Sequence, residues 1–295
     1  MVSALVVAAV VILAFVLLPS FLSSSSRERP SPDSGRAVPA ITGEPAARIA
    51  IAGDTGTRTA SEAATAKRME LEAERQGKPY DALLLLGDIV YQDGDSSLTR
   101  ESVTEPFAGI LQDAELIPVL GNHDIESDEQ DEILDELGRD SEWYTEQVGP
   151  LRVIVLDSNQ VDNDRQTDWL RGVLAEEQPA GTWTVVAMHH APYSAGSHGS
   201  DEDVQEAWVP LFVQADVPLV LAGHDHDYQR SFPQQGVTYV VSGAGAKLRS
   251  AGREDFTAVS TSTLHYVDLL VYEDRLEGRA IDQQGKLIDK FTIEQ

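Results

Sequence analysis

A chain of 295 residues with 42% hydrophobic side chains can bury a sizeable core, and without a visible repeat it reads as one folded domain. It has no cysteine, which excludes disulfides, thiolate zinc sites and cysteine nucleophiles and leaves oxygen and imidazole as metal ligands. Forty-nine acidic against 22 basic residues give a formal charge of −27, which repels nucleic-acid backbones over most of the surface and argues against nucleic acid as a partner.

Residues 1–26 carry no charged side chain, and residues 1–22 read as a hydrophobic anchor or signal segment. The apolar run of roughly 17 to 21 residues exceeds the ~7–15 of a signal-peptide core and approaches the ~20 that span a bilayer, which favours a retained anchor. Arg27 and Arg29 follow the run, so the positive-inside rule alone would keep the remainder in the cytoplasm. The absence of thiols and the Ser/Pro-rich stretch behind it suit a membrane-anchored or exported domain on the extracytoplasmic side, and that is the expectation taken here. Residues 23–46 read as a flexible tether and residues 47–295 as the domain.

From residue 47, apolar strand-like runs alternate with helical patterns: strand 47–52 then helix 60–76, strand 82–86 then a helix around 101–113, strand 116–120 then helix 128–137. Strands return at 152–156, 182–188 and 218–222, with helices near 165–177 and 204–214. Such alternation predicts an α/β protein with parallel pairing in at least its first half. After Gly236 the helices stop, and 237–242, 265–272, 276–282 and 287–293 read as an antiparallel meander with turns at Asp274-Arg275 and Gln284-Gly285. Two packed mixed β-sheets flanked by helices accommodate both halves.

Six of the seven histidines lie in or beside short segments of Asp, Asn and Gly, most of which follow a predicted strand. These are Gly53-Asp54-Thr55-Gly56, Gly87-Asp88-Ile89-Val90-Tyr91, Gly121-Asn122-His123-Asp124, Val186-Ala187-Met188-His189 and Gly223-His224-Asp225-His226. In α/β sheets the functional crevice lies beyond the carboxyl ends of the strands, so all five segments are expected in one place. Asp54 and Asp88 offer carboxylates, and a carboxylate can bridge two cations. Asn122 offers an amide oxygen, and His189, His224 and His226 offer imidazoles. Period-two alternation puts His224 and His226 on one side of an extended segment, where they can share a metal or bind neighbouring ones.

The ordered set resembles that of the calcineurin-like metallophosphoesterases, and within them the purple acid phosphatases, whose pattern is GDxG, GDxxY, GNH(D/E), VxxH and GHxH. All five motifs occur in order between residues 53 and 226. The resemblance implies a four-layer α/β/β/α sandwich and a phosphomonoesterase acting on a small phosphate ester, with no protein partner. It also implies two metal ions, one held by Asp54, Tyr91 and His226, the other by Asn122, His189 and His224, with Asp88 bridging. Tyr91, as a phenolate, points to Fe(III) beside a divalent Fe, Zn or Mn. His123 is implied to contact the phosphoryl group, with Asp124 either orienting it or serving the structure. His198, nine residues after the VxxH histidine, takes the place of a histidine that protonates the leaving group. His190 is a weaker candidate because adjacent residues at a strand end point apart. A phosphodiesterase, or a catalytically weak phosphate-binding protein, would use the same motifs.

His265 reads as structural, Asp157-Ser158-Asn159 as turn formers, residues 126–136 as a solvated acidic face, and most of Trp143, Tyr144, Trp169, Trp183 and Trp208 as packing residues.

Overall fold

The computed structural model describes residues 36–295. Two seven-stranded mixed sheets pack face to face. The first is built on the parallel strands β2 (Ala47–Ala52), β3 (Ala82–Leu86) and β4 (Glu115–Val119). It is extended antiparallel by β12 (His265–Val271), β13 (Arg275–Asp282), β14 (Lys286–Glu294) and the short β1 (Arg36–Ala37). The second runs parallel through β6 (Leu151–Val155), β7 (Trp183–Ala187), β8 (Leu219–Ala222) and β10 (Thr238–Ser242). Antiparallel β5 (Tyr144–Val148), β9 (Tyr228–Ser231) and β11 (Thr257–Thr261) complete it.

Alternation within the strands explains the layers. Ile49, Ile51, Leu84 and Leu86 face the other sheet, meeting Val153, Val155, Val185 and Leu221 in the central core. The residues between them, Ala50, Ala52, Leu83 and Leu85, face outward under α1 (Ala60–Gln76), where Ala66 and Met69 cover them. On the far side Ile154, Val186 and Val220 lie under α3 (Asp164–Leu174), α4 (Glu202–Ala207) and α5 (Val209–Gln214), through Leu170, Val204, Trp208 and Phe212. Because both faces of the central strands are covered, they read as unbroken apolar runs. The result is the four-layer α/β/β/α sandwich expected.

Several expectations need correction. Strand 237–242 does not open the C-terminal meander; as β10 it lies in the second sheet, parallel to β8, with Thr238 opposite Leu219. The helix expected over 101–113 is a single π-helical turn at Arg100–Thr104 followed by turns, because Pro106 lacks the N–H that continuation needs. The helix expected over 204–214 breaks at Trp208 into α4 and α5, with Pro210 in the first turn of α5. α2 is shorter than expected, at Gln130–Glu136. β5, β9 and β11 are strands that the sequence does not announce, since their polar residues dilute the alternation.

The tether expected over 23–46 also ends earlier than Ala47. Arg36 and Ala37 pair with Leu287 and Lys286, Val38 is buried, Ile41 N–H donates to Gln76 Oε1 at 2.8 Å, and Tyr272 O–H donates to Thr42 O at 3.0 Å. The packed domain thus includes residues 36–46. The anchor expected over 1–22 lies outside the described residues, and among the described residues no helix is long and apolar enough to cross a membrane.

α1 begins with a capping arrangement that carries a pH signature. Thr59 is its N-cap, and Glu62, three residues on, reaches back to accept the Arg58 N–H at 2.5 Å. Its Oε1 is buried without a hydrogen-bond partner. Burial outweighs the hydrogen bonds from Arg58 and Thr59 and pushes the Glu62 carboxyl from 4.5 up to about 8. A folded-state pKa raised above the unfolded one contributes stability that is complete below about 4.5 and is lost as pH rises through about 8. Glu62→Gln keeps the acceptor and removes the charge. It is expected to melt at a higher temperature than the parent at pH 9, by a margin of about 2–4 kcal/mol in stability, with the gap closing at pH 4. Parallel melting curves at both pH values check this; an unchanged gap would contradict it.

Candidate metal centre

The five segments leave the sheets at the carboxyl ends of β2, β3, β4, β7 and β8, and the loops are locked to one another by main-chain bonds. Gly53 N–H donates to Ser242 O at 2.7 Å, Asp54 N–H to Gly87 O at 3.0 Å, Tyr91 N–H to Gly56 O at 2.9 Å and Gly223 N–H to His189 O at 3.0 Å. Glycine is needed where the chains cross. A Cβ on Gly87, which also has φ +86°, would overlap the His189 ring, and one on Gly121 would overlap Asp88. Asp54, Asp88 and His224 themselves sit at positive φ, 56°, 51° and 69°. Left-handed backbone at a non-glycine residue costs about 1–3 kcal/mol and persists where the surroundings enforce it. Three such residues aimed at one point make that point the strained centre of the fold.

Tyr91 O–H lies between both carboxylates, donating to Asp88 Oδ2 at 2.7 Å and reaching Asp54 Oδ1 at 3.1 Å, with His226 Nε2 at 3.3 Å from it and 3.2 Å from Asp54 Oδ1. The other oxygen of Asp88, Oδ1, faces His189 Nε2 at 3.4 Å. His189 Nε2 in turn lies 3.2 Å from Asn122 Oδ1 and 3.2 Å from His224 Nδ1. Seven side chains therefore form two clusters that meet at Asp88. His189 Nδ1 is 2.8 Å from Leu86 O, a group that only accepts, so Nδ1 donates and Nε2 is the nitrogen turned into the site.

Burial and then Asp88 push the Asp54 carboxyl well above its ordinary range. Burial acts on Asp88 in the same direction, but His189 and the Tyr91 hydroxyl outweigh it and hold Asp88 below its usual value. Burial, followed by Asp54 and Asp88, drives the Tyr91 hydroxyl far upward. Burial and neighbouring imidazoles hold His224 far below its ordinary value, and burial with Arg249 and Lys247 lowers His226 to about 3. His224 and His226 are thus neutral, the form that binds a metal. Two crowded carboxylates, a phenol, an amide oxygen and three imidazoles with facing nitrogens make a donor set that fits two hard or borderline cations.

His123 stands at the rim. Its N–H donates to Asp88 Oδ1 at 3.0 Å, its Nδ1 meets Gln92 O and Glu126 Oε1, and its ring lies 4.6 Å from that of Tyr91. Asp124 does not touch the His123 ring. Fully buried, it accepts from Ile89 N–H, Val90 N–H and Gly121 N–H at 3.2, 2.8 and 2.7 Å, fastening the Asp88 loop to the Asn122 loop. His198 stacks on His224 with centroids 4.0 Å apart, and its Nε2 meets the Arg249 guanidinium. Asp225, whose side chain points away from His224 and His226, holds that loop by accepting His198 N–H at 2.9 Å and Ser194 O–H.

Of three further features near the centre, His190 was given less weight from the sequence, Asn159 was read as a turn former, and Lys247 was not singled out. His190 turns back toward the centre, with its ring 4.6 Å from that of His224 and its Nδ1 2.8 Å from Ser158 Oγ, and Asn159 Nδ2 reaches Gly121 O at 3.3 Å. His189, His190 and His224 bring nitrogen atoms within 4.8 Å of one another. Lys247, on the loop after β10, sits 3.7 Å over the Tyr91 ring. The signal for that loop was Ser242-Gly243-Ala244-Gly245, a glycine-rich turn at a strand end like the others. His265 is structural, bonded to Ser242 Oγ at 3.0 Å and Thr263 O at 2.8 Å, and Trp183 and Trp208 are buried in the cores.

The family model for calcineurin-like phosphoesterases matches residues 47–228. The chain is 25% identical over 219 residues to purple acid phosphatase 4 of Arabidopsis thaliana, covering 61% of this chain and 63% of that one. It is 33% identical over 161 residues to a probable cyclic nucleotide phosphodiesterase of Rhodococcus erythropolis, covering 51% and 52%. These two relatives are thus matched over less than two thirds of their own length. Among solved structures, a purple acid phosphatase from yellow lupin (Lupinus luteus) seeds superposes with a TM-score of 0.71 at 18% identity, over 88% of this chain and 55% of that one, and so shares the fold. The chain belongs to the calcineurin-like phosphoesterase family and is related within it to the purple acid phosphatases.

Proposed function

We propose that the protein hydrolyses phosphate monoesters at a dinuclear metal centre. Asp54, Tyr91 and His226 would hold one ion and Asn122, His189 and His224 the other, with Asp88 placed to serve both. The observation that carries this reading is the division of Asp88, one oxygen turned to Tyr91 and the other to His189. Tyr91, wedged between two carboxylates, supplies a third hard oxygen donor to its cluster, which favours Fe(III) there and a divalent Fe, Zn or Mn opposite. Bound ions of this kind supply Lewis-acid polarisation of a phosphoryl group and activation of water.

The chain's own side chains do the rest. His123, at the rim beside Tyr91, meets the phosphoryl oxygens. His198 faces the leaving group; burial and then Arg249 lower its pKa, and because the Arg249 guanidinium donates to Nε2, Nδ1–H is the hydrogen-bond donor the ring offers to the departing oxygen, which takes its proton from solvent water. A small ester suits the site better than a long polyanion such as a nucleic-acid backbone, which the acidic surface would repel. The apolar segment at residues 1–22 would place the domain at or beyond a membrane, on the extracytoplasmic side.

The Rhodococcus relative favours a second reading, a phosphodiesterase at the same centre. The full chain, loaded with iron and a divalent metal, is expected to turn over p-nitrophenyl phosphate at least about tenfold faster than bis-p-nitrophenyl phosphate, measured as kcat/KM. The reverse order would establish the second reading.

A further inference from the structure

Lys247 and Arg249 lie on the loop between β10 and β11, in a chain where acidic residues outnumber basic ones 49 to 22. Arg48, Arg139, Arg230 and Arg279 each have a carboxylate partner, but neither Lys247 nor Arg249 forms an ion pair among the described residues. Lys247 has no hydrogen-bond partner there either; its ammonium rests over the Tyr91 ring. The Arg249 guanidinium meets the His198 ring, which carries no negative charge. The loop itself is fixed: Arg249 N–H donates to His226 O at 2.9 Å, and Ser262 O–H donates to Arg249 O at 2.6 Å. Two cationic groups are therefore held at the mouth of the centre, one beside each of its halves; Asp54 and Asp88 act on Lys247 only through space, and among the described residues no carboxylate is in ion-pair contact with either group.

Lys247 stands over the face of Tyr91, not at the hydroxyl where Asp54 and Asp88 converge, so its charge is displaced from the point where the transferred phosphoryl group would sit. Arg249 likewise lies beyond His198, on the leaving-group side. We infer that Lys247 and Arg249 are specificity-determining residues, selecting an ester whose leaving group carries a second anionic group, a phosphate or a carboxylate. The inference rests on the phosphoesterase reading above. On an otherwise acidic surface that repels such a leaving group, a local cationic pair decides whether it is accepted.

The test uses the metal-loaded full chain and its Lys247→Gln, Lys247→Arg and Arg249→Gln variants, with phenyl phosphate, carboxyphenyl phosphate and pyrophosphate as substrates. Binding of phenylphosphonate and carboxyphenylphosphonate is measured alongside by calorimetry. Lys247→Gln and Arg249→Gln are each expected to lose on the order of tenfold more kcat/KM, and tenfold more affinity, for the doubly anionic compounds than for the phenyl ones. Lys247→Arg should retain the preference. A loss confined to pyrophosphate identifies a phosphate leaving group, and one confined to the carboxylated compounds a carboxylate. Equal losses on all compounds would overturn the inference and leave the phosphoesterase standing. Absence of turnover by the metal-loaded parent on every substrate would remove both.

Discussion

Asp88→Asn is expected to lower kcat/KM by about a thousandfold or more, because the interaction removed bears on two cations that together supply several kcal/mol of transition-state stabilisation. Asparagine is the informative replacement. It tolerates the positive φ of 51° at this position, it keeps one oxygen, and it removes the charge and the second oxygen that allow the side chain to serve both clusters. Retained oxygen facing His189 would leave the Asn122–His189–His224 cluster able to bind, while the Tyr91 cluster would lose a ligand. Metal content of the purified variant should accordingly fall from about two per chain toward one. A variant with full metal content and parental turnover would remove Asp88 from the centre.

Tyr91→Phe separates the phenol from the ring. The ring packs against His123 and under Lys247, contacts that phenylalanine preserves, whereas the hydroxyl alone reaches Asp54, Asp88 and His226. The variant is expected to fold like the parent, to lose any phenolate-to-iron absorption completely, and to lose about 10–100-fold in iron affinity or turnover. Iron content and an absorption spectrum check this. An unchanged visible band in the variant would show that Tyr91 does not bind the iron.

The layers and the convergence of the loops were legible because two strong signals agree. Unbroken apolar runs such as Ala82–Leu86 mark central strands covered on both faces, and four of the five runs that lead to the site end in a glycine followed by a ligand-type side chain. Strands whose residues are polar gave no such signal: Tyr228–Ser231 is buried by pairing on both sides, a property of the sheet and not of its four residues. The assignment of 237–242 failed for a related reason, since a strand's sheet is chosen by its neighbours and not by its own alternation. Within the site, Asp124 was visible as a residue but not as a clamp, because its three N–H donors come from loops 35 residues apart and three residues away. Lys247 was invisible, since a lone lysine beyond a strand end gains meaning only from the ring beneath it.

Two metal ions on the seven converged side chains are what the proposed function requires. Elemental analysis of the purified full chain, paired with its visible spectrum, tests it most directly. The expected result is about two metal ions per chain, one of them iron, with a broad visible absorption band. A colourless protein with about two Mn or Zn ions would keep the dinuclear centre and remove the iron–phenolate assignment. A protein that carries no metal and binds none on reconstitution would contradict the account.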